Sequence, residues 1–209
     1  ELILDTYDLE IESVTDQDGG ELLFEVGDHN EILGAYLSIA IEENTSKVSV
    51  KYTTSPGARA LQWLDPGQTA GKELPFLFTQ SQAILARTWI PVQDSPGIRY
   101  TYTAEVTVPS SMLALMSATN PTERNESGTY SFSMDQPIPS YLMALSVGDI
   151  VCKPVGERTG VYAEPSLVDT AAWEFGRMED MLIAAEELYG PYAWDRYDVI
   201  VLPPSFPFG

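Results

Sequence analysis

The sequence predicts a mostly β protein whose antiparallel sheets form a sandwich or an open saddle, followed by the first elements of an α/β unit. Two-residue alternation recurs through the first three quarters of the chain, and turn-forming residues separate the alternating segments. A helical pattern begins only near residue 166. Alternation indicates half-buried strands, whereas apolar residues at steps of three and four indicate a helix. Short strands at this spacing are typical of packed or saddle-like sheets.

The clearest strand pattern lies at Tyr100–Val108, where aromatic and aliphatic side chains alternate with threonine and glutamate. Residues 48–53 and 130–135 repeat this pattern. Near the amino terminus, apolar residues on either side of the turn-rich segment Thr15–Gly20 predict a β-hairpin. Further turns are predicted at residues 55–57, 65–67, 94–97 and 120–128.

The pattern changes after residues 156–160. Ser166 and Asp169 have the spacing of a capping box, and one helix is predicted from Ser166 to Tyr189, before the stop signal Gly190–Pro191. The apolar run Val199–Leu202 then predicts a strand buried on both faces. Because the sequence stops before this α/β unit can close, we expect a piece of a longer protein. The predicted domains are residues 1–156 and a truncated second domain at 157–209.

Composition excludes several classes of function. The chain has 11 basic and 31 acidic residues, a net charge of −20, which argues against binding to nucleic acid or to an anionic membrane surface. No segment approaches the ~20 apolar residues of a membrane span. The only cysteine, Cys152, cannot form a disulfide within the chain and is predicted to be a small core residue.

Catalytic motifs are absent from the sequence. With His29 as the only histidine, an HExxH zinc motif cannot be formed, and no P-loop, G-x-G-x-x-G or G-x-S-x-G sequence occurs. These absences leave open a noncatalytic β-sandwich module that binds peptide or carbohydrate. The helix and strand after Ser166 argue against that alternative, because a free-standing sandwich does not need them.

Six segments resemble one family when they are taken in order. They are A-L-Q-W-L-D-P-G-Q (60–68), F-T-Q-S-Q-A-I-L-A-R (78–87), P-V-Q-D-S-P (91–96), the strand 101–109 with A-L-M-S-A (114–118), P-I-P-S-Y-L-M-A-L (137–145) and Y-D-V-I-V-L-P-P-S-F-P-F-G (197–209). The chain thereby resembles the amino-terminal portion of aminopeptidase N-type zinc metallopeptidases, in the branch of leukotriene A(4) hydrolase-like and cold-active aminopeptidases.

The resemblance implies a saddle-shaped β domain that ends near residues 156–158 and a thermolysin-like zinc peptidase domain that begins there. It also implies peptide substrates, zinc in the parent enzyme but none in this chain, and catalytic and helical domains further along the same polypeptide. A cytoplasmic location is expected, with a periplasmic or secreted one as the alternative. A scaffold homologue that has lost its zinc is a further alternative.

The same resemblance implies substrate-binding residues but no catalytic residue in this chain. Gln82 matches the glutamine that lines the pocket for the substrate's amino-terminal residue, and Gln80 is its neighbour. Phe208 stands where the leukotriene branch has tyrosine, which argues against epoxide hydrolysis. Gly209 matches the first glycine of the G-x-M-E-N segment, which binds the substrate backbone, or the residue just before that glycine.

Overall fold

The computed structural model describes residues 1–206, which belong to two compact units. The first unit combines three segments, Glu1–Gln62, Thr79–Tyr100 and Ile138–Ala144. The second unit combines Trp63–Phe78, Thr101–Pro137 and the chain from Leu145 onward. Each unit therefore brings together segments that are distant in the sequence.

The first unit is built on two antiparallel sheets. Its strands are β1 (Leu2–Thr6), β2 (Glu10–Thr15), β3 (Phe24–Val26), β4 (Ala35–Ile39) and β5 (Ser49–Thr53). Strand β4 lies between β1 and β3, and β2 pairs with β5. Val14, Leu37 and Ile39 form a buried cluster against which aliphatic side chains of both sheets pack. The alternation predicted for residues 48–53 is present in β5, where Val50 and Tyr52 are the less exposed residues.

The predicted hairpin at Thr15–Gly20 is only partly correct. The tight turn forms, because Asp16 N–H donates to the Gly20 carbonyl at 2.9 Å and Thr15 bridges Glu21. The chain after the turn leaves β2, and β3 pairs with β4 instead. The turn sequence specified the reversal of the chain but not the sheet that the next strand would join.

The next six strands belong mostly to the second unit. They are β6 (Leu61–Leu64), β7 (Phe76–Thr79), β8 (Arg99–Thr107), β9 (Leu113–Met116), β10 (Thr129–Pro139) and β11 (Leu145–Gly148). Four of them form a sheet in the order β6–β7–β11–β9, and β8 pairs with β10. The predicted alternation in β8 is confirmed, since every second residue is half-buried and the others are exposed. Strand β9 is buried throughout.

The described chain ends in a mixed α/β unit, as the sequence predicts. Its elements are β12 (Val151–Pro154), β13 (Thr159–Ala163), the helices α1 (Val168–Glu174) and α2 (Met178–Tyr189), and β14 (Tyr197–Ile200). Strand β13 pairs antiparallel with β12 and parallel with β14, so α1 and α2 form the connection between two parallel strands. Val161, Ala171 and Met178 form the buried core of this unit.

The single helix predicted from Ser166 to Tyr189 is wrong in two respects. The helix is interrupted between α1 and α2 at residues 175–177, where Gly176 has a low intrinsic helix propensity. The Ser166–Asp169 capping box does not form, because α1 has Leu167 at its N-cap and no side-chain cap. Asp169 instead pairs with the Lys153 ammonium at 2.5 Å.

The predicted helix stop is correct, because α2 ends at Gly190 with a φ of 94°. None of the helices within residues 1–206 is long and apolar enough to cross a bilayer.

Candidate functional site

The loop that follows β7 carries both glutamines predicted to bind substrate. Strand β7 presents the buried residues Phe76, Leu77 and Phe78, and the chain then enters an exposed turn at Gln80. The Gln80 N–H donates to the Ala60 carbonyl at 2.9 Å, which fixes the start of the loop.

Ser81 anchors the loop through groups that are distant in the sequence. Its side chain is buried, and its hydroxyl donates to the Met143 carbonyl at 3.3 Å and accepts from Trp89 Nε1 at 3.1 Å. The Ser81 carbonyl accepts the Leu85 N–H at 2.8 Å. Ser81, which lies between the two glutamines, is therefore fixed through both its side chain and its backbone carbonyl.

Gln80 and Gln82 have different roles in this loop. Gln80 Oε1 accepts the backbone N–H of Gln82 at 3.0 Å, so the Gln80 side chain supports the loop itself. The peptide bond between Gln82 and Ala83 is cis. The Gln82 side chain is exposed, and it makes no hydrogen bond within residues 1–206. Its amide oxygen and amide nitrogen are both available to a ligand, and neither titrates.

A buried ion pair lies next along the chain and holds the end of the loop. Arg87 Nε lies 3.1 Å from Asp94 Oδ2, and the two side chains are only 6% and 0% exposed. The Ser140 hydroxyl donates to Asp94 Oδ1 at 2.5 Å, and Arg87 Nη1 donates to the Leu33 carbonyl at 2.7 Å. Burial of a charged pair is tolerated only when both partners are hydrogen-bonded, as they are here.

Sequence reasoning missed the Arg87–Asp94 pair, although the sequence contains a signal for it. Residues 83–98 include no charged side chain other than these two. An isolated arginine and an isolated aspartate in an apolar stretch indicate a buried pair, because a single buried charge is too costly.

Phe208 and Gly209 lie outside the described residues. The chain that leads to them is held within the second unit, where Phe206 packs edge-on against Phe78 with ring centroids 5.3 Å apart. The Ser205 hydroxyl also donates to the Gln68 carbonyl at 3.1 Å.

The described residues do not fit a zinc site. His29 Nδ1 lies 3.4 Å from Asp8 Oδ1, and both side chains are about half exposed, at 45% and 54%. Residues 1–206 contain no group of three or more histidine, cysteine, aspartate or glutamate side chains placed to hold a metal. Cys152 is half-buried on β12 rather than fully enclosed, and burial raises the pKa of its thiol.

Comparison with known proteins identifies the family. Residues 1–142 match the model of the peptidase M1 N-terminal domain. This chain belongs to the M1 peptidase family. The predicted resemblance to aminopeptidase N-type zinc metallopeptidases is thereby confirmed.

Comparison with individual relatives extends the match to the full length of this chain. It is 42% identical to leukotriene A-4 hydrolase of Xenopus laevis over 218 residues, which cover 100% of this chain and 36% of that protein. Human aminopeptidase B is 49% identical over 148 residues, which cover 70% of this chain and 23% of that protein. The structure of native yeast LTA4 hydrolase superimposes with a TM-score of 0.91 and 33% identity, covering 100% of this chain and 33% of that chain. The chain thus spans about a third or less of the length of these relatives.

Proposed function

We propose that this chain is the amino-terminal part of a zinc aminopeptidase, which releases amino-terminal residues from peptides, and that Gln82 forms part of the substrate-pocket wall. The observation that carries the proposal is the exposed Gln82 amide, which has no partner within residues 1–206 and stands on a loop fixed by buried groups. The names of the relatives, a leukotriene A-4 hydrolase and an aminopeptidase, support the activity.

Gln82 suits recognition of a peptide's amino terminus. Its amide carbonyl can accept a hydrogen bond from the substrate ammonium, and because the amide is neutral the Gln82 side chain itself does not titrate. A fixed loop also reduces the ordering cost of binding. In this proposal Gln80 positions the Gln82 backbone, and Phe208 and Gly209 contribute to the segment that binds the substrate backbone.

We propose that zinc is held by the remaining part of the parent polypeptide, as the resemblance to zinc metallopeptidases implies. Zinc bound there would supply the Lewis acid and the activated water of a metallopeptidase. The residues of this chain bind and orient the peptide. We propose a boundary near residue 156 between the β domain and the start of the catalytic domain, and a cytoplasmic location.

The direct test is the Gln82→Ala substitution in the full-length enzyme. Loss of a hydrogen bond to a charged group is worth about 1.5–3 kcal/mol, so kcat/KM for aminoacyl anilides should fall roughly tenfold to a hundredfold. Gln93→Ala is the matched control, because Gln93 is also an exposed glutamine of the first unit. An unchanged kcat/KM in the Gln82→Ala enzyme on several substrates would assign Gln82 to loop structure alone.

The coding sequence beyond Gly209 distinguishes the enzyme from the noncatalytic binding module. We expect an HExxH motif within about a hundred residues, since this is the usual ligand pattern of this class of zinc peptidase. A continuation without metal-ligating histidines would favour the module or a scaffold homologue.

A further inference from the structure

A cavity of about 380 Å³ in the second unit is not used by the proposed function, and Gln82 does not line it. One wall comes from the last residue of β9, the loop at residues 117–120 and β10, and the other from the connection between α2 and β14 together with the start of β14. Its size is at the lower end of the range of small-molecule sites, which is about 300–1,000 Å³.

Three aromatic rings form one wall of the cavity. They belong to Tyr192, Trp194 and Tyr197. The Tyr192 ring centroid lies 5.6 Å from that of Trp194 and 6.0 Å from that of Tyr197, with interplanar angles of 53° and 78°. Rings inclined in this way present both faces and edges to a shared space, as in the aromatic cages that bind organic cations.

The charges around the cavity favour a cationic ligand. Asp135 and Asp195 line it, and neither forms an ion pair within residues 1–206. Arg196 is the one basic residue of the lining, and its guanidinium holds Asp198 with two contacts of 2.8 and 3.1 Å, so this pair is neutral. The cavity therefore carries an uncompensated charge of about −2, and the whole chain carries −20, which would attract cations.

The opposite wall is preformed. Asn120 accepts the Met116 N–H at 2.8 Å and donates to the Met116 carbonyl at 2.9 Å, and Tyr102 donates to the Ser117 carbonyl at 2.8 Å. The loop at residues 116–120 is thus fixed before any ligand binds, which reduces the ordering cost of binding.

We propose that this cavity binds a small organic cation, with the ammonium group against the rings of Tyr192, Trp194 and Tyr197 and near the carboxylates of Asp135 and Asp195. The ligand needs both a positive charge and apolar substituents, because the rings attract a cation through their faces and also remove apolar surface from water. A hydrated metal ion would gain little from three aromatic rings. The cation can be a free small molecule or a lysine side chain of a peptide, since both present the same group.

The test is a titration of the 209-residue chain with choline and with 3,3-dimethylbutan-1-ol, its uncharged carbon isostere. Binding is followed by calorimetry and by the NMR signal of the Trp194 indole N–H. We expect saturable binding of choline and roughly fivefold to thirtyfold weaker binding of the isostere, the range of a cation–π contact that is partly desolvated. A peptide with one central lysine and blocked ends, titrated in parallel, shows which source of ammonium binds more tightly.

Variants locate the site. Trp194→Ala and Asp195→Asn should each weaken choline binding at least about threefold, and asparagine suits the Asp195 backbone, which has a φ of 58°. Trp173→Ala is the control, because Trp173 is an exposed tryptophan of α1 outside the cavity. Repeating the titration on the full-length protein keeps the test valid if the shorter chain folds poorly. Equal binding of choline and its isostere, no binding of either cation, or unchanged binding in both cavity variants would overturn the proposal.

Discussion

Arg87 and Asp94 form the buried ion pair on which the Gln82 loop depends. The Arg87 guanidinium contacts the Asp94 carboxylate and carbonyl, the Leu33 carbonyl and, at 3.6 Å, the Asp5 carboxylate. The Asp94 carboxylate also accepts from the Ser140 hydroxyl. Removal of the Asp94 charge leaves the buried Arg87 guanidinium with only the partly exposed Asp5 carboxylate, at 3.6 Å, and this costs far more than an exposed pair contributes.

The substitution Asp94→Asn should therefore lower the free energy of unfolding by about 3–5 kcal/mol, measured by urea denaturation. The control is Asp180→Asn, which removes an exposed pair with Arg177, at 66% and 83% exposure, and should change stability by less than about 1 kcal/mol. Similar effects of the two substitutions would mean that the Arg87–Asp94 pair is not a buried anchor.

The difference between Gln80 and Gln82 shows the limit of sequence reasoning at this scale. Both residues occur in the same short motif, and the resemblance identified the motif. Only the structure shows that the Gln80 side chain accepts a hydrogen bond from the loop backbone, whereas the Gln82 side chain makes no hydrogen bond within residues 1–206. Ser81, which lies between the two glutamines, contacts Met143, 62 residues away, and Trp89, and no local pattern encodes these contacts.

At the scale of elements, Arg158 links the turn before β13 to helix α2. Its guanidinium contacts Glu179 at 3.2 Å and Glu186 at 2.8 Å, and its backbone N–H donates to Glu179 at 2.9 Å. The Arg158 guanidinium, together with the Tyr192 backbone N–H, lowers the pKa of Glu186 to about 2. The pKa of Glu179 is also lowered, and the main cause is the hydrogen bond from the Arg158 backbone N–H.

These shifts predict acid sensitivity of the second unit. Because the pKa of Glu186 is lower in the folded protein, its contribution to stability is present above its ordinary value of 4.5 and is lost as pH falls toward about 2. Urea titrations between pH 6 and pH 2 should show this loss, and Glu186→Gln should reduce it. Glu187→Gln, at the exposed neighbouring position, should leave the pH profile unchanged. If the stability of the Glu186→Gln protein depends on pH in the same way as that of the unsubstituted protein, the pH-dependent stability does not come from Glu186.

Most strands could be predicted from the sequence, but their partners could not. The alternation in β8 reports burial on one face, which is a local property, and it was confirmed. The hairpin at Thr15–Gly20 was only partly correct because the pairing of β3 with β4 is set by packing around Leu37 and Ile39. The break between α1 and α2 was missed because the apolar stripe continues across Gly176 in the sequence.

At the scale of the whole molecule, the helices of the second unit expose large apolar side chains. Trp173, Leu188 and Tyr189 are 81%, 75% and 87% exposed. Clusters of exposed apolar residues commonly mark surfaces that another part of a protein covers. We propose that further domains of the parent polypeptide cover these helices, in keeping with the greater length of the relatives.

Hydrogen exchange tests the proposed domain boundary near residue 156. In a monomeric sample of the 209-residue chain, amides of Met178–Leu202 should exchange faster than those of Tyr100–Val108, because under this proposal Met178–Leu202 lacks packing partners from the rest of the parent polypeptide and opens at a lower free energy. Equal protection of the two segments would show that residues after 156 fold as stably as the β domain, and the boundary would then be wrong.

The most direct test of the central proposal compares the full-length protein with the 209-residue chain. Zinc is measured by elemental analysis after dialysis, and activity is measured as hydrolysis of aminoacyl anilides. We predict about one zinc per full-length chain together with aminopeptidase turnover, and neither in residues 1–209, because three or four suitable ligands are needed for a zinc site. Stoichiometric zinc or turnover in the 209-residue chain, or a full-length protein without zinc and without activity, would contradict the proposal.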